Sequence, residues 1–296
     1  MHPTAFTIFG LQIKWYGILI TLGILAGVAF AWNRAKKYGL TKDNLLDLAF
    51  VIIIVGIIGA RLTYIIANFG YFAQNPAEIL SIQMEGLSFI GIILFNIPAV
   101  WIFARIKKLS FWRITDLAAP SIAIGYFFGR LGCTVNGCCY GPQTTSVCNI
   151  AGRFPTQILN ALVAVVIFLA LWWLSKEKKL KQGELFIYFI YLYAITHIGT
   201  EFLRADAGHS PIMGTPLNIA QWLNILLILG GYAVHFFLRK GTEPSMVDEA
   251  RVAEIEEIDR NRGKKSISIE GHDESDLPEN ESAEDSVEDT NDDTEE

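Results

Sequence analysis

The 296-residue chain is 52% hydrophobic with a formal net charge of −6, an average that conceals two unlike parts. Residues up to Lys240 hold 19 Lys/Arg against 9 Asp/Glu, whereas those from Gly241 onward hold 5 against 21. The first part excludes an ordinary water-soluble domain, the second is too acidic and too poor in aromatics to build a core, and no nucleic-acid partner is expected.

The N-terminus lacks the basic stretch and small-residue cleavage site of a signal peptide. Apolar segments of roughly membrane-spanning length follow at 15–32, 48–69, 87–103, 117–132, 158–174, 185–202 and 219–237. The fourth is interrupted by Pro120, Gly125 and Arg130. Such breaks persist in a membrane only where protein or a water-filled cavity satisfies the freed backbone groups. The connections alternate in charge. Arg34, Lys36, Lys37 and Lys42 follow the first segment; Arg105, Lys107, Lys108 and Arg113 the third; Lys176, Lys178, Lys179 and Lys181 the fifth; Arg239 and Lys240 the seventh. The intervening connections, 70–86, 133–157 and 204–218, carry only Arg153 and Arg204. By the positive-inside rule the basic connections are cytoplasmic. The expected architecture is therefore an all-α integral membrane protein with seven transmembrane helices, its N-terminus outside and its C-terminus cytoplasmic. Residues 1–240 form the membrane domain and 241–296 a disordered acidic tail, within which Val252, Ile255 and Ile258 allow a short amphipathic helix over 246–258.

The end of the fourth segment reads Gly129-Arg130-Leu131-Gly132-Cys133-Thr134-Val135-Asn136-Gly137-Cys138-Cys139-Tyr140-Gly141. A charged side chain at membrane depth costs roughly 2.5–3.5 kcal/mol on insertion scales, so it marks a cavity or a partner. Four glycines around it allow backbone to approach backbone or ligand closely. The four cysteines Cys133, Cys138, Cys139 and Cys148 fall in or beside this outward-facing connection, where disulfides or small-residue packing are the leading expectation. A zinc site and redox catalysis are the alternatives, and the adjacent pair Cys138-Cys139 departs from usual ligand spacing.

Arg61, Arg130, His197, Glu201 and Arg204 lie in the outer part or at the outer rim of the apolar segments, while His235 lies near the cytoplasmic end. His197 and Glu201, four apart, share one helix face, and Arg204 lies three further on. Together with Arg130 they would form a cationic pocket for a phosphate group. Each also has a plain structural reading. Arg61 could hold two helices together, Arg204 could extend to the headgroups, and Glu201 with an arginine could be an ordinary ion pair.

These residues resemble the bacterial prolipoprotein diacylglyceryl transferase family from about Lys14 to about Leu227. The likeness rests on Lys14-Trp15-Tyr16-Gly17, on Gly59-Ala60-Arg61-Leu62 with Tyr64, and on Gly86-Leu87-Ser88-Phe89. It continues through Gly129-Arg130-x-Gly132 with Asn136-Gly137 and Gly141, then Phe154-Pro155-Thr156-Gln157, Glu201-Phe202-Leu203-Arg204 and Gln221-Trp222-Leu223. The resemblance implies transfer of the diacylglyceryl group of phosphatidylglycerol to the lipobox cysteine of preprolipoproteins, with glycerol 1-phosphate released. It implies a monomeric multi-pass enzyme of the bacterial plasma (inner) membrane that needs no cofactor and no metal. Arg130, Glu201 and His197 become the expected catalytic residues, and Tyr16, Arg61, Asn136, Gly141, Arg204 and Gln221 the expected substrate-binding ones.

The departures are equally specific. Where the family has a histidine after Ser-Phe this chain has Ile90, Cys133 and Cys138 replace an asparagine and a glutamate of the signature, and His197 replaces an arginine. Either His197 takes over proton work in a divergent transferase, or the chain is a paralogue that binds or transports a lipid or anion, or one that carries out thiol redox chemistry.

Overall fold

The computed structural model describes residues 4–8, 11–80, 88–145, 149–150, 152–176, 180–204, 215–238 and 243–270. Gly86, Leu87, Cys148 and the tail beyond Glu270 lie outside the described residues. The chain opens with a two-stranded antiparallel hairpin, β1 (Thr4–Ile8) and β2 (Leu11–Lys14), in which Phe6 faces Ile13 and Ile8 faces Leu11. This corrects the all-helical expectation at its edge. Phe6, Ile8, Leu11 and Ile13 follow a period of two around Gly10, a strand pattern too short to stand out beside the apolar runs.

Helices follow: α1 (Trp15–Arg34), α2 (Lys42–Ala67), the short α3 (Phe69–Gln74), α4 (Phe89–Ile106), α5 (Phe111–Asn136), α6 (Thr156–Leu174), α7 (Glu184–Glu201), α8 (Ile219–Leu238) and α9 (Glu249–Glu270). Each expected apolar segment falls on a helix. Among the described residues, four helical stretches are long and apolar enough to cross a membrane: Trp15–Tyr38, Lys42–Ala67, Thr156–Leu174 and Ile219–Leu238. A shorter apolar helix covers Ile90–Ile106. The outward side chains are large and apolar, including Phe50, Ile54, Ile66, Ile97, Val166, Trp173, Leu226 and Phe237. Some of the closest contacts between helices are instead made at glycines. That inversion suits helices surrounded by lipid, where close backbone packing replaces the hydrophobic drive. Between α2 and α4 the approach is so close that a Cβ at Gly91 would strike the Gly59 carbonyl and the Thr63 side chain.

Helix α5 is central, packing against α1, α4, α6 and α7, while α7 also packs on α8. Around its N-terminal half the core is apolar, built from Ile114, Leu117, Leu45, Leu48 and Phe103 on one side and Ala119, Ala123, Ile167, Leu171 and Leu185 on another. Buried Asp116 ties this end together. Its carboxylate accepts from the backbone N–H groups of Gly183 (2.7 Å) and Phe186 (3.0 Å) at the start of α7, and from Ser245 Oγ. A carboxylate there satisfies orphan donors and complements the helix dipole.

The compact unit, expected to close at Lys240, continues to Glu256. Ser245 is buried, the Val247 N–H donates to the Lys37 carbonyl, and Ile255 is 1% exposed. The amphipathic segment expected over 246–258 is thus helical from Glu249, and the helix runs on to Glu270.

Candidate active site

At its other end the bundle is polar inside. The C-terminal turns of α5 and α7 meet the N-terminal turns of α1, α6 and α8. Arg130 projects from α5 with its guanidinium 5.0 Å above the Tyr126 ring and its Nη2 3.4 Å from His197 Nε2 on α7. His197 is buried against Tyr193, with ring centroids 5.2 Å apart. Its Nδ1 lies 3.3 Å from Asn224 Nδ2 on α8 and 3.8 Å from Glu201 Oε2. Glu201, 2% exposed, receives Arg204 Nη1 at 3.3 Å and Asn218 Nδ2 at 3.5 Å. The expected grouping of Arg130, His197, Glu201 and Arg204 is therefore present as one contiguous cluster. With a neutral imidazole, two guanidinium groups and one carboxylate leave a single net positive charge, matched to a phosphodiester monoanion.

A guanidinium donates from Nη2, so His197 Nε2 is the acceptor of that pair, while Nδ1 faces the Asn224 amide and the Glu201 carboxylate. The Nε2 nitrogen thus faces a cation. The ring is arranged to hold Arg130 through Nε2.

The other expected residues are dispersed. Tyr16, 41% exposed at the start of α1, packs its ring on Gly132, where a Cβ would come 2.8 Å from Tyr16 Cδ2. Asn136 ends α5, exposed, with Nδ2 3.9 Å from Cys138 Sγ. Gly141 is a packing requirement: a Cβ there would lie 2.9 Å from the Leu203 carbonyl oxygen and from Phe154. Gln221 is buried and caps α8 reciprocally with Asn218. The Asn218 N–H donates to Gln221 Oε1 (3.0 Å) and the Gln221 N–H to Asn218 Oδ1 (2.9 Å). Arg61 serves another part of the fold, donating to the carbonyls of Glu78 (2.6 Å) and Ile79 (3.4 Å) and covering the Phe72 ring at 5.4 Å. Ile90, at the family's histidine position, is 63% exposed on α4.

Sequence reasoning missed Asn218 and Asn224, which hold Glu201 and His197, and Tyr126, which lies beneath Arg130 while its hydroxyl donates to Asn160 Oδ1 at 3.1 Å. Their signal was available: Asn224 is an amide at membrane depth, and Tyr126 is one helical turn before Arg130.

Of the two leading expectations for the cysteines, a disulfide is not found among the described ones. Cys133, Cys138 and Cys139 are not joined by a disulfide; their three Sγ atoms converge within 4.8 Å of one another.

Comparison with known proteins identifies the family. A family model for prolipoprotein diacylglyceryl transferase matches residues 3–237. A protein of Clostridioides difficile named phosphatidylglycerol–prolipoprotein diacylglyceryl transferase is 32% identical over 253 residues, covering 84% of this chain and 100% of that protein. Proteins of the same name from Clostridium tetani (33% over 245 residues; 79% and 96% covered) and Bacillus licheniformis (32% over 259 residues; 82% and 95% covered) are similarly close. The apolar bundle, the arginine-centred polar end and these matches together place the chain in the prolipoprotein diacylglyceryl transferase family.

Proposed function

We propose that this enzyme transfers the diacylglyceryl group of phosphatidylglycerol to the lipobox cysteine of preprolipoproteins at the outer face of the bacterial plasma membrane, acting as a monomer with seven spans, its N-terminus outside and its C-terminus inside. The observation that carries this reading is Arg130, a half-buried guanidinium fixed by Tyr126 and His197 at the polar end of an apolar bundle. The substrate sulfur attacks the glycerol carbon bearing the phosphodiester. A C–S bond forms, the C–O bond breaks, and the electron pair leaves with glycerol 1-phosphate. Charge on the phosphate rises from one to two as the bond breaks, and donors fixed in advance stabilise that change most. Arg130 is the principal clamp, through the planar two-pronged contact a guanidinium makes with phosphate. Arg204 adds a second cation, held by Glu201. Tyr16, Asn136 and Gly141 border the headgroup side, and Gln221 frames it by fixing the start of α8, while Arg61 braces α2 against the Glu78 and Ile79 carbonyls.

The basic residues support the orientation, because Lys36, Lys107 and Arg113 lie at the end of the bundle opposite Arg130, paired with Glu256, Asp47 and Glu243. The reading is tested by expressing the chain in transferase-depleted bacteria and examining lipoproteins by mass spectrometry. Diacylglyceryl-modified lipoproteins are expected; unmodified preproteins despite normal insertion of the chain would overturn the reading.

A further inference from the structure

We propose that Cys133, Cys138 and Cys139 hold a zinc ion through three thiolates and leave its fourth position to the thiolate of the substrate cysteine. This rests on the transferase reading of the same site and supplies what that reading lacks, a means of ionising the attacking thiol.

The geometry comes first. Tetrahedral zinc with Zn–S bonds of about 2.3 Å sets sulfurs about 3.8 Å apart. The three Sγ atoms already lie within 4.8 Å of one another, a difference that small rotamer shifts close. Adjacent cysteines in regular backbone point apart, and here the backbone is not regular. Gly137, at φ 76°, ends α5 in the left-handed region, and Cys139 follows at φ 63°. A left-handed conformation is strained for a non-glycine residue and persists where the surroundings enforce it. Two fully buried side chains at the start of α6 do so. Thr156 Oγ1 donates to the Cys139 carbonyl and Gln157 Nε2 to the Cys138 carbonyl, each at 2.6 Å. The turn thereby brings both thiols back over Cys133 on the last turn of α5.

The chemistry follows from the ligand set. Thiolates select soft or borderline metals, and three protein ligands with one open position is the arrangement of catalytic rather than structural zinc. Zinc coordination deprotonates a thiol outright while leaving the thiolate able to attack carbon. The other two sources of a base are compromised, since Ile90 stands at the family's histidine position and His197 Nε2 is turned to Arg130. The location also fits. Cys133 is one turn from Arg130 on α5, Cys133 and Cys139 are in electrostatic contact with that guanidinium, and all three thiols are in electrostatic contact with the Tyr16 hydroxyl. A bound sulfur nucleophile would therefore stand beside the phosphate clamp.

In the balanced step, the substrate thiol releases its proton to water as its sulfur binds zinc. That sulfur then forms the C–S bond while the C–O bond breaks, its electron pair leaving on glycerol 1-phosphate. The neutral thioether is a weak ligand and dissociates, and zinc changes oxidation state at no point.

The test uses the full chain purified under reducing conditions from zinc-supplied cells. Elemental analysis is expected to give about one zinc per chain. Exchange for cobalt(II) should give thiolate-to-cobalt charge transfer, and a lipobox peptide should perturb the cobalt spectrum where its cysteine-to-serine counterpart does not. Cys133→Ser, Cys138→Ser and Cys139→Ser should each weaken metal binding at least about tenfold. Cys139→His, which keeps a ligand, should retain the metal with weaker charge transfer and so separates lost coordination from lost folding. Substoichiometric metal, serine variants that bind normally, a disulfide between two of the three cysteines, or a cobalt spectrum indifferent to the peptide would each overturn the proposal. Metal loss in Cys148→Ser would do so too, because four protein thiolates leave no place for substrate. Transferase activity without metal would sink this inference alone; a metal site that answers to the peptide without thioether formation would sink the transferase reading alone.

Discussion

His197 Nε2 lies 3.4 Å from Arg130 Nη2, while its Nδ1 faces Asn224 and Glu201. This places the ring as a hydrogen-bond acceptor that sets the angle of the guanidinium, in a position where the family carries an arginine. If His197 positions Arg130, His197→Gln should keep an acceptor and lower turnover less than about tenfold, whereas loss of a general base costs about 10²–10⁴-fold. A pH–rate profile separates the two: an acidic limb, the fall in rate as the base is protonated, that vanishes in His197→Gln would return the residue to proton transfer.

Arg130→Lys should lower the transfer rate about 10²–10³-fold, the range for losing one aligned donor to a developing anion. A lysine keeps the charge but not the planar fork over Tyr126. Near-parental turnover in a correctly inserted Arg130→Lys protein would reduce Arg130 to a helix-packing residue.

Gly91→Val should separate α2 from α4, because any Cβ there meets the Gly59 carbonyl. Overpacking at such a contact costs about 1–3 kcal/mol. A lowered Tm in detergent is expected, with Gly70→Ala unchanged because nothing lies within 4 Å of a Cβ there. Equal Tm values for the two variants would contradict the close crossing.

Truncation after Thr242 should destabilise the protein, and truncation after Glu270 should not. The shorter chain loses Ser245 from the buried Asp116 carboxylate together with the buried Ile255. Removing one donor from a buried charged acceptor costs on the order of 1–3 kcal/mol, which Ser245→Ala isolates from the rest of the segment. An unchanged Tm in Ser245→Ala would assign the stabilisation elsewhere.

Orientation has a direct check. An engineered cysteine in 70–86 should react with a membrane-impermeant label in intact cells and one in 176–181 should not. The reverse pattern would invert the topology.

The helices and the central cluster were legible in the sequence because long apolar runs and ionisable residues within them are strong, local signals. His197 and Glu201 at a spacing of four, and Arg130 in its glycine-rich run, needed no tertiary information to be suspected. What the sequence could not convey is what depends on contacts between distant segments. The Gln221 amide reads as a free polar group until Asn218 is seen capping the helix with it. The adjacent pair Cys138-Cys139 reads as poor ligand spacing until Thr156 and Gln157, on another helix, are seen holding the left-handed turn. Arg61, likewise, sits at membrane depth by sequence, yet its carbonyl partners at Glu78 and Ile79 follow a helix end that hydropathy does not locate.

The central claim is formation of a thioether at the arginine-centred end of this bundle. Its most direct measurement uses the purified full chain with phosphatidylglycerol vesicles and a lipobox peptide, following the peptide mass and the glycerol 1-phosphate released. The account predicts a diacylglyceryl mass gain on the peptide cysteine, one glycerol 1-phosphate for each modified peptide, and formation of both slowed about 10²–10³-fold in Arg130→Lys. An unmodified peptide, or an addition to the peptide without release of glycerol 1-phosphate, would contradict it.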